Sequence, residues 1–135
     1  MGLAYIHSKE LIHRDIKPEN VLIHIDSTGD KITLKWAYFG LSKSMNERGS
    51  CTLSGVKGTK NWLAPELLQL CQVQTSGQQR GTVKSDVFAE GLVFAYILLI
   101  GKHPYGSDVY EIQGCYPFRH FFRLFVILSV SALLC

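Results

Sequence analysis

The sequence predicts an α+β fold that is mainly α-helical and contains one small β-hairpin. Two runs rich in β-branched residues, at 21–25 and 31–36, flank the turn sequence D-S-T-G-D, which is a pattern typical of a hairpin. The run L-V-F-A-Y-I-L-L-I after Gly91 is apolar on nearly every face and predicts a buried core helix. The 135 residues, 47% of them hydrophobic and 19% charged, therefore suit one modest folded domain.

Charge and cysteine usage argue against several classes of function. The net charge of +3 is too small to indicate a nucleic-acid site or a membrane-surface protein. The opening sequence M-G-L-A-Y-I is neither a signal peptide nor a myristoylation site. The cysteines are widely spaced and form no Cys-x-x-Cys pair, which argues against zinc and fits a reducing compartment. They are Cys51, Cys71, Cys115 and Cys135.

The first eight residues predict the last turns of a helix. Leu3 and Ile6 lie on one face of it, and Leu11 and Ile12 begin an extended apolar segment. A helix of this length is marginal by itself, so we expect the chain to be a piece of a longer protein.

Residues 13–20 read H-R-D-I-K-P-E-N and carry the most specific pattern in the chain. The carboxylate of Asp15 is suited to orient a hydroxyl nucleophile and to accept its proton. Lys17 adds a positive charge for a phosphoryl group, and the side-chain oxygen of Asn20 suits a hard cation such as Mg²⁺. Pro18 stiffens the loop that holds these groups. The spacing H-R-D-x-x-x-x-N resembles the catalytic loop of protein kinases.

The next motif, A-Y-F-G-L-S-K at 37–43, follows the hairpin at the position where kinases carry Asp-Phe-Gly. Phe39 and Gly40 match that motif, but Tyr38 stands where kinases have a magnesium-binding Asp. A phenol, with a reference pKa of about 10, is neutral near pH 7 and is a poor magnesium ligand. Metal charge stabilisation is worth several kcal/mol to phosphoryl transfer, so we expect transfer by this chain to be severely reduced. A genuine substitution and a sequence artefact both stay open, because Asp and Tyr codons can differ by one base.

Residues 41–66 resemble a kinase activation segment, which ends at the A-P-E motif containing Glu66. By the same resemblance, Thr59 lines the path of the substrate hydroxyl and favours Ser/Thr substrates. The middle of the segment is polar and rich in Ser, Thr and Gly, which predicts a flexible loop. A phosphate there would pair with Arg14 and order the segment, and a plain surface loop with unmodified hydroxyls is the alternative. The candidate phosphorylation sites are Ser50, Thr52 and Ser54.

Residues 72–82 are polar and loop-like, and the predicted core helix follows them. By resemblance to kinases, Asp86 accepts hydrogen bonds from backbone N–H groups of the catalytic loop and locks its shape. Ser85 or Asp86 also suits a helix N-terminus. Gly101 is expected to end the helix, before a turn at 103–106.

Together these motifs resemble the C-terminal lobe of a eukaryotic Ser/Thr protein kinase. The resemblance covers residues 1–106 and implies a partial, protein-kinase-like α+β fold without its N-terminal lobe, since the Gly-rich loop, the strand lysine and its glutamate partner are missing. It implies ATP and Mg²⁺ as cofactors, and another protein or the kinase itself as substrate. The implied site residues are Asp15 and Lys17 for catalysis; Lys17, Glu19 and Asn20 for the nucleotide; Asn20 for the metal; Arg14 for regulation; and His13, Phe39, Gly40, Thr59, Glu66 and Asp86 for structure.

Within the kinases, the chain resembles the inositol-requiring kinase/endoribonucleases of the unfolded-protein response. This resemblance rests on residues 54–68 and 86–106, on Trp62, and on the length of the polar insert before Asp86. RNA-activated and related stress kinases, which share the style of residues 2–15, are the competing subfamily. The subfamily implies a parent protein in the endoplasmic reticulum membrane, with this part on the cytoplasmic side, and a homodimer of the full-length parent.

The family pattern fades after residue 106. Residues 107–135 lack the Arg that usually pairs with Glu66, and the apolar run at 121–135 is shorter than the roughly 20 residues that span a membrane. We interpret this tail as a short interfacial or aggregation-prone segment, or as a mis-spliced end without a role. Three functions remain open: a stress-sensing Ser/Thr kinase, a pseudokinase module that binds nucleotide or partners without transferring phosphate, and a nonfunctional gene fragment.

Overall fold

The computed structural model describes residues 2–52, 56–72 and 80–106. The chain divides into two compact units, residues 1–93 and 94–135, and the candidate site lies in the first. The elements in chain order are α1 (Leu3–Ser8), β1 (Leu11–Ile12), β2 (Val21–Ile25), β3 (Ile32–Trp36), β4 (Lys43–Ser44), β5 (Ser50–Thr52), α2 (Pro65–Gln72), β6 (Arg80–Thr82) and α3 (Val83–Leu98). Short 3₁₀ helices lie at Pro18–Asn20, Phe39–Leu41 and Lys60–Trp62.

Helix α1 and strand β1 agree with the sequence prediction. Leu3 and Ile6 are buried on one face of α1. The chain then turns into β1 through Glu10, which has a left-handed φ of 57°. β1 pairs antiparallel with β4, with Ile12 opposite Lys43. The sequence does not indicate this pairing, because the two strands are two residues long and distant along the chain.

The predicted hairpin is confirmed as β2 and β3, although β3 begins one residue later than predicted. The strands are antiparallel, and Val21 pairs with Trp36. The Asp26 side chain holds the turn by accepting the Lys31 N–H at 3.2 Å. Gly29 takes a left-handed φ of 81°, which glycine adopts without steric cost. Asp26 and Gly29 of the turn sequence D-S-T-G-D therefore fix the register of the hairpin.

Most apolar side chains of the hairpin are exposed. Only its end at Trp36, which is 8% exposed, joins the core. The exposed positions are Leu22, Ile23, Ile25, Ile32 and Leu34.

Two segments predicted as loops pair as strands instead. β5 and β6 are antiparallel, with Cys51 opposite Gly81. The predicted flexible middle of the activation segment is therefore wrong for β5, and the loop prediction for 72–82 is wrong for β6. Each strand has three residues, and its hydrogen-bonding partner lies far along the chain, so a local pattern cannot reveal it.

Helix α3 begins at Val83, earlier than predicted. Ser85 and Asp86 lie inside its first turn, where the Ser85 hydroxyl donates to the Thr82 carbonyl at 2.6 Å. Both residues therefore lie at the N-terminal end of the helix, as predicted, although neither is its first residue. β6 runs directly into the helix, and the Val83 N–H donates to the Gly49 carbonyl at 3.2 Å, so a partner distant in sequence sets this boundary.

The C-terminal end of α3 lies at Leu98, before the predicted Gly101. The Gly101 N–H nevertheless donates to the Tyr96 carbonyl at 2.9 Å, with a φ of 79° at the glycine. Gly101 thus closes the helix end, as glycine commonly does in the left-handed conformation.

Helix α3 is only partly buried. Ala89, Leu92 and Val93 belong to the core, which also contains Ile6 and Ile12. The prediction of a helix buried on all faces is wrong for Val87, Phe94, Ile97 and Leu98, which are exposed. An apolar composition shows what a helix is able to bury, and it does not show which of its faces a chain covers.

Helix α2 is absent from the sequence prediction. Pro65 occupies its first position, where the missing N–H of proline costs nothing. Leu67 and Leu68 are buried in the core, as are Leu63 and Ala64 just before the helix. The proline and the leucine pair are a signal that was available in the sequence.

None of the helices in the described ranges has the length and hydropathy of a membrane span. Cys51 is buried and Cys71 is exposed, and neither forms a disulfide. The interpretation of the tail at 107–135 and the candidate site Ser54 fall outside the described residues.

Candidate functional site

The H-R-D loop leaves β1 and reaches β2 through the 3₁₀ helix that begins at Pro18. Asp86 of α3 holds the start of this loop. Its Oδ2 accepts the His13 N–H at 2.7 Å, and its Oδ1 accepts the Arg14 N–H at 2.9 Å. The carboxylate is 2% exposed, so these are the hydrogen bonds that the resemblance predicts, made in the interior. Because buried N–H groups need acceptors, Asp86 fixes the backbone of the loop.

Asp15 lies at the centre of three donors. Asn20 Nδ2 donates to Asp15 Oδ2 at 2.9 Å and to the Asp15 carbonyl at 2.7 Å. Lys17 Nζ lies 3.2 Å from Asp15 Oδ2 and donates to Thr59 Oγ1 at 2.9 Å. The Thr59 hydroxyl in turn donates to Asp15 Oδ1 at 3.2 Å. The structure therefore brings four of the predicted site residues into one cluster.

These contacts determine the ionisation of Asp15. Burial raises the pKa of its carboxyl, but hydrogen bonds from Asn20, Lys17 and Thr59 and the charge of Lys17 outweigh burial and leave the pKa below its ordinary value. The ionised form is therefore favoured, and this stabilisation is present above the ordinary pKa of Asp and lost as pH falls through the lowered value. A carboxylate of this kind suits the orientation of a hydroxyl group.

Asn20 connects the cluster to the segment after the hairpin. Its backbone carbonyl accepts the Ala37 N–H at 2.9 Å, and the residue is 6% exposed. Both side-chain hydrogen bonds to Asp15 use the amide nitrogen, which leaves the amide oxygen as the atom able to coordinate a cation.

His13 packs beneath the same segment and is fully buried. Its Nε2 donates to the Ala37 carbonyl at 2.9 Å, and its Nδ1 accepts the Asp15 N–H at 3.4 Å. Its ring lies 4.9 Å from the Phe39 ring, centroid to centroid. His13 therefore joins the H-R-D loop to the Tyr-Phe-Gly motif.

Tyr38 has a backbone conformation that suits another residue type. Its φ and ψ are both 63°, in the left-handed region, and its side chain is 66% exposed. Asn and Asp enter this region several-fold more readily than other non-glycine residues, whereas a bulky side chain is strained there. Two residues later, Gly40 has free space around it, since an added Cβ would meet no atom within 4 Å.

We expect Tyr38→Asn to stabilise the chain by about 1 kcal/mol, because it relieves the left-handed strain and gives up little buried area. Urea unfolding followed by circular dichroism measures the change. The control is Tyr5→Asn in helix α1, at another exposed tyrosine, which should gain nothing. A Tyr38→Asn chain no more stable than the unmodified chain would contradict the strain at this position.

Arg14 combines a left-handed φ of 67° with a partly buried guanidinium. Its Nε donates to the Leu41 carbonyl. Its Nη1 is buried and has no hydrogen-bond partner among the residues that the structure describes. A buried cationic donor without an acceptor is costly, so this position is favourable for an anion.

Several predicted residues lie outside the Asp15 cluster. Glu19 is exposed on the 3₁₀ helix, and Glu66 is exposed in the first turn of α2. The prediction that Ser50 lies in a flexible loop is corrected. Ser50 is 7% exposed in β5, and its hydroxyl donates to Asn46 Oδ1 at 3.0 Å. Thr52 is exposed at the end of β5.

The sequence prediction missed four residues that support the site. His7 Nε2 donates to Asp86 Oδ2 at 3.0 Å. Trp36 Nε1 donates to Glu90 Oε1 at 3.2 Å. Gly58 approaches the Arg14 carbonyl so closely that an added Cβ would lie 2.7 Å from that oxygen. These contacts join residues distant in sequence, and only the glycine just before Thr59 carried a local signal.

A sequence model of the family described as Protein kinase domain matches residues 1–127. The chain is 42% identical over 115 residues to the serine/threonine-protein kinase/endoribonuclease IRE2 of Homo sapiens, covering 82% of this chain and 12% of the relative. It is 35% identical over 114 residues to the serine/threonine-protein kinase/endoribonuclease ire-1 of Caenorhabditis elegans, covering 82% and 11%.

A relative with a different name is the serine/threonine-protein kinase CG17528 of Drosophila melanogaster. The chain is 39% identical to it over 104 residues, covering 77% of this chain and 12% of the relative. The chain thus spans about a tenth of the length of the curated relatives it matches.

Proposed function

This chain belongs to the protein kinase family, and on that premise we propose that residues 1–106 form part of the C-terminal lobe of a serine/threonine kinase domain. The N-terminal lobe, with the Gly-rich loop and the strand lysine, lies outside this part. The observation that carries the proposal is the Asp15 cluster, in which a carboxylate, an ammonium group, an amide and a hydroxyl are joined by a chain of contacts of 3.2 Å or less. Residues 107–135 are proposed as a divergent tail, although the family model extends to residue 127.

In the proposed reaction, the hydroxyl oxygen of a protein Ser or Thr attacks the γ-phosphorus of ATP, and the bond from that phosphorus to the leaving oxygen breaks. Asp15 orients the attacking hydroxyl and accepts its proton. Lys17, which pairs with Asp15 at 3.2 Å, is positioned to offset charge on the transferring phosphoryl group. The Thr59 hydroxyl holds Lys17 and Asp15 in place, because it accepts a hydrogen bond from Lys17 and donates one to Asp15. Glu19 is proposed as a nucleotide contact.

The residues present fit magnesium only in part. Asn20 offers an amide oxygen, which is a suitable ligand for a hard cation. Tyr38 offers a phenol where a carboxylate is needed, and its side chain is exposed to solvent. The described residues therefore do not complete a magnesium site, and the roles given to Asp15, Lys17 and Thr59 do not depend on the metal.

We predict no measurable phosphoryl transfer by this chain. Incubation with γ-labelled ATP, Mg²⁺ and a generic Ser/Thr substrate measures incorporation, and Asp15→Asn is the matched control because it removes the carboxylate while keeping the shape. Incorporation that Asp15→Asn abolishes would refute the prediction.

Tyr38→Asp within a complete kinase domain should raise turnover by at least about 100-fold, because a metal contribution of several kcal/mol is restored.

The second candidate function is a pseudokinase module, and the left-handed, exposed Tyr38 is the observation that favours it. Such a module binds ATP without transferring phosphate. A thermal-shift titration with ATP, with and without Mg²⁺, tests this, and a shift that does not depend on Mg²⁺ is the expected result. The absence of a shift under both conditions would count against nucleotide binding by this module.

Arg14 is proposed as the regulatory anchor. Its buried Nη1 lacks an acceptor among the described residues, and a phosphate oxygen would supply one. Thr52 is the accessible candidate for the phosphorylated residue, since Ser50 is buried in a strand. Ser54 stays a candidate from the sequence alone.

The parent protein is proposed to be of the unfolded-protein-response type. The names of IRE2 and ire-1 combine a kinase with an endoribonuclease, which supports this subfamily. By that resemblance the parent lies in the endoplasmic reticulum membrane with this part on the cytoplasmic side, forms a homodimer and phosphorylates itself. The sequence of the intact gene on both sides of this segment tests the assignment.

A further inference from the structure

A tryptophan and a glutamate join the hairpin to the central helix. Trp36, the last residue of β3, donates its Nε1–H to Glu90 Oε1 at 3.2 Å. Trp36 is 8% exposed, and its ring lies 6.4 Å from the His13 ring, centroid to centroid. The next residue, Ala37, accepts the His13 Nε2–H at 2.9 Å. The position of Trp36 therefore influences the position of the Ala37 carbonyl, which accepts the hydrogen bond from His13.

Glu90 is also part of a small charge cluster on α3. It lies one helical turn after Asp86, whose carboxylate is already occupied by two backbone N–H groups and by His7 Nε2. The titratable groups that act on Glu90 are His7 of α1, which attracts its charge, and Asp86, which repels it. Strand β3 contributes the neutral Trp36.

We propose that Glu90 is a positioning residue for the catalytic loop: by accepting the Trp36 N–H it fixes the end of β3, and with it the Ala37 carbonyl to which His13 is bound. Protonation of Glu90 weakens this link. The inference rests on the proposed function for the role of the loop, whereas the link itself stands on the contacts above.

The direction of the pH dependence follows from the surroundings of Glu90. Burial raises the pKa of its carboxyl, and Asp86 adds to this, while the Trp36 hydrogen bond and His7 oppose it; the net pKa is raised. An ionised carboxylate accepts a stronger hydrogen bond than a neutral carboxyl does. The Trp36 link should therefore weaken as pH falls, beginning at a higher pH than an ordinary glutamate would require.

The test uses the intact chain with Trp62→Phe, which leaves Trp36 as its single tryptophan. Trp36 emission is recorded from pH 8 to pH 4, with circular dichroism at each pH to verify folding. We expect a transition centred above the ordinary glutamate value of about 4.3. Glu90→Gln should abolish it, and His7→Gln should move it to higher pH, because His7 opposes the rise in the Glu90 pKa.

A second measurement separates positioning from packing. Hydrogen exchange of the backbone over residues 36–38 is compared in Glu90→Gln and Glu90→Leu. Near pH 7 the glutamine keeps only a neutral acceptor for Trp36 and should exchange faster than the unmodified chain, whereas the leucine removes the acceptor and should exchange faster still, about tenfold above the unmodified chain. A residue that only fills space would give equal exchange in the two variants. The matched control is Glu47→Gln at an exposed turn, which should change neither measurement.

Each outcome decides the inference. A Trp36 transition that survives Glu90→Gln, or equal exchange in the glutamine and leucine variants, overturns it. Its failure is distinguishable from failure of the proposed function, because turnover of Tyr38→Asp in a complete kinase domain is measured separately. A Glu90-dependent transition without that turnover keeps the link and removes its role in a kinase, and turnover without the transition does the opposite.

Discussion

Asp86→Ala is expected to lower the free energy of unfolding of this chain by about 4 kcal/mol, because it strands buried hydrogen-bond donors at roughly 1–3 kcal/mol each. The donors are the backbone N–H groups of His13 and Arg14, at 2.7 and 2.9 Å from the carboxylate, and His7 Nε2 at 3.0 Å. Water cannot replace the lost acceptor readily, since Asp86 is 2% exposed. Urea unfolding followed by circular dichroism measures the loss.

The control for this substitution is Asp30→Ala, at an exposed position of the hairpin turn, which should change stability by less than about 0.5 kcal/mol. Hydrogen exchange adds a local readout: the amides of His13 and Arg14 should lose protection in Asp86→Ala and keep it in Asp30→Ala. Equal losses of stability in the two variants would show that Asp86 is not the anchor of the loop.

Gly58→Ala is the second large effect, with an expected loss of about 3 kcal/mol or more from combined backbone strain and overpacking. The glycine has a φ of 110°, which residues with a side chain rarely adopt. An added Cβ would lie 2.7 Å from the Arg14 carbonyl oxygen and 3.1 Å from Leu63 Cδ2. Backbone oxygen cannot rotate away, so the two segments would have to separate.

Gly29→Ala is the matched control, because that glycine also has a positive φ, of 81°, but nothing lies within 4 Å of its added Cβ. Its expected cost is the left-handed penalty alone, about 1 kcal/mol. The difference between the two variants therefore isolates the close approach at Gly58. If both alanine variants lose the same stability, the contact with the Arg14 carbonyl has no energetic role.

The Gly58 contact also explains how the Asp15 cluster is assembled. Thr59, the next residue, supplies the hydroxyl that contacts both Lys17 and Asp15. Only a residue without a Cβ lets this segment reach the H-R-D loop. Gly58→Ala should consequently move Thr59 away from Asp15 as well as destabilise the chain.

Features encoded over short stretches were predicted well from the sequence. The hairpin follows from two β-rich runs and a turn whose Asp26 and Gly29 have the required chemistry. The family prediction is confirmed, because the H-R-D and A-P-E motifs are compact enough to identify without coordinates. The roles assigned to Asp15, Lys17 and Asn20 stay predictions, and their close arrangement supports them.

Features that depend on distant partners were not predicted. β5 and β6 are too short to show a pattern, and Ser50 is buried in β5, which pairs with β6. The link from Trp36 to Glu90 joins two residues whose types are ordinary in their own elements. The exposed apolar residues of α3 and the hairpin show the same point, since burial depends on what packs against a face.

The sequence by itself determined the family and the hairpin, and it predicted the residues of the H-R-D loop, because these are set by local turn chemistry and by motifs a few residues long. Only the tertiary structure decided that Asp86 is shared between the H-R-D loop and His7, that Tyr38 is held in a left-handed conformation, and that Gly58 lies against Arg14. The physical reason is that hydrogen-bond satisfaction and steric contact are settled between segments distant along the chain.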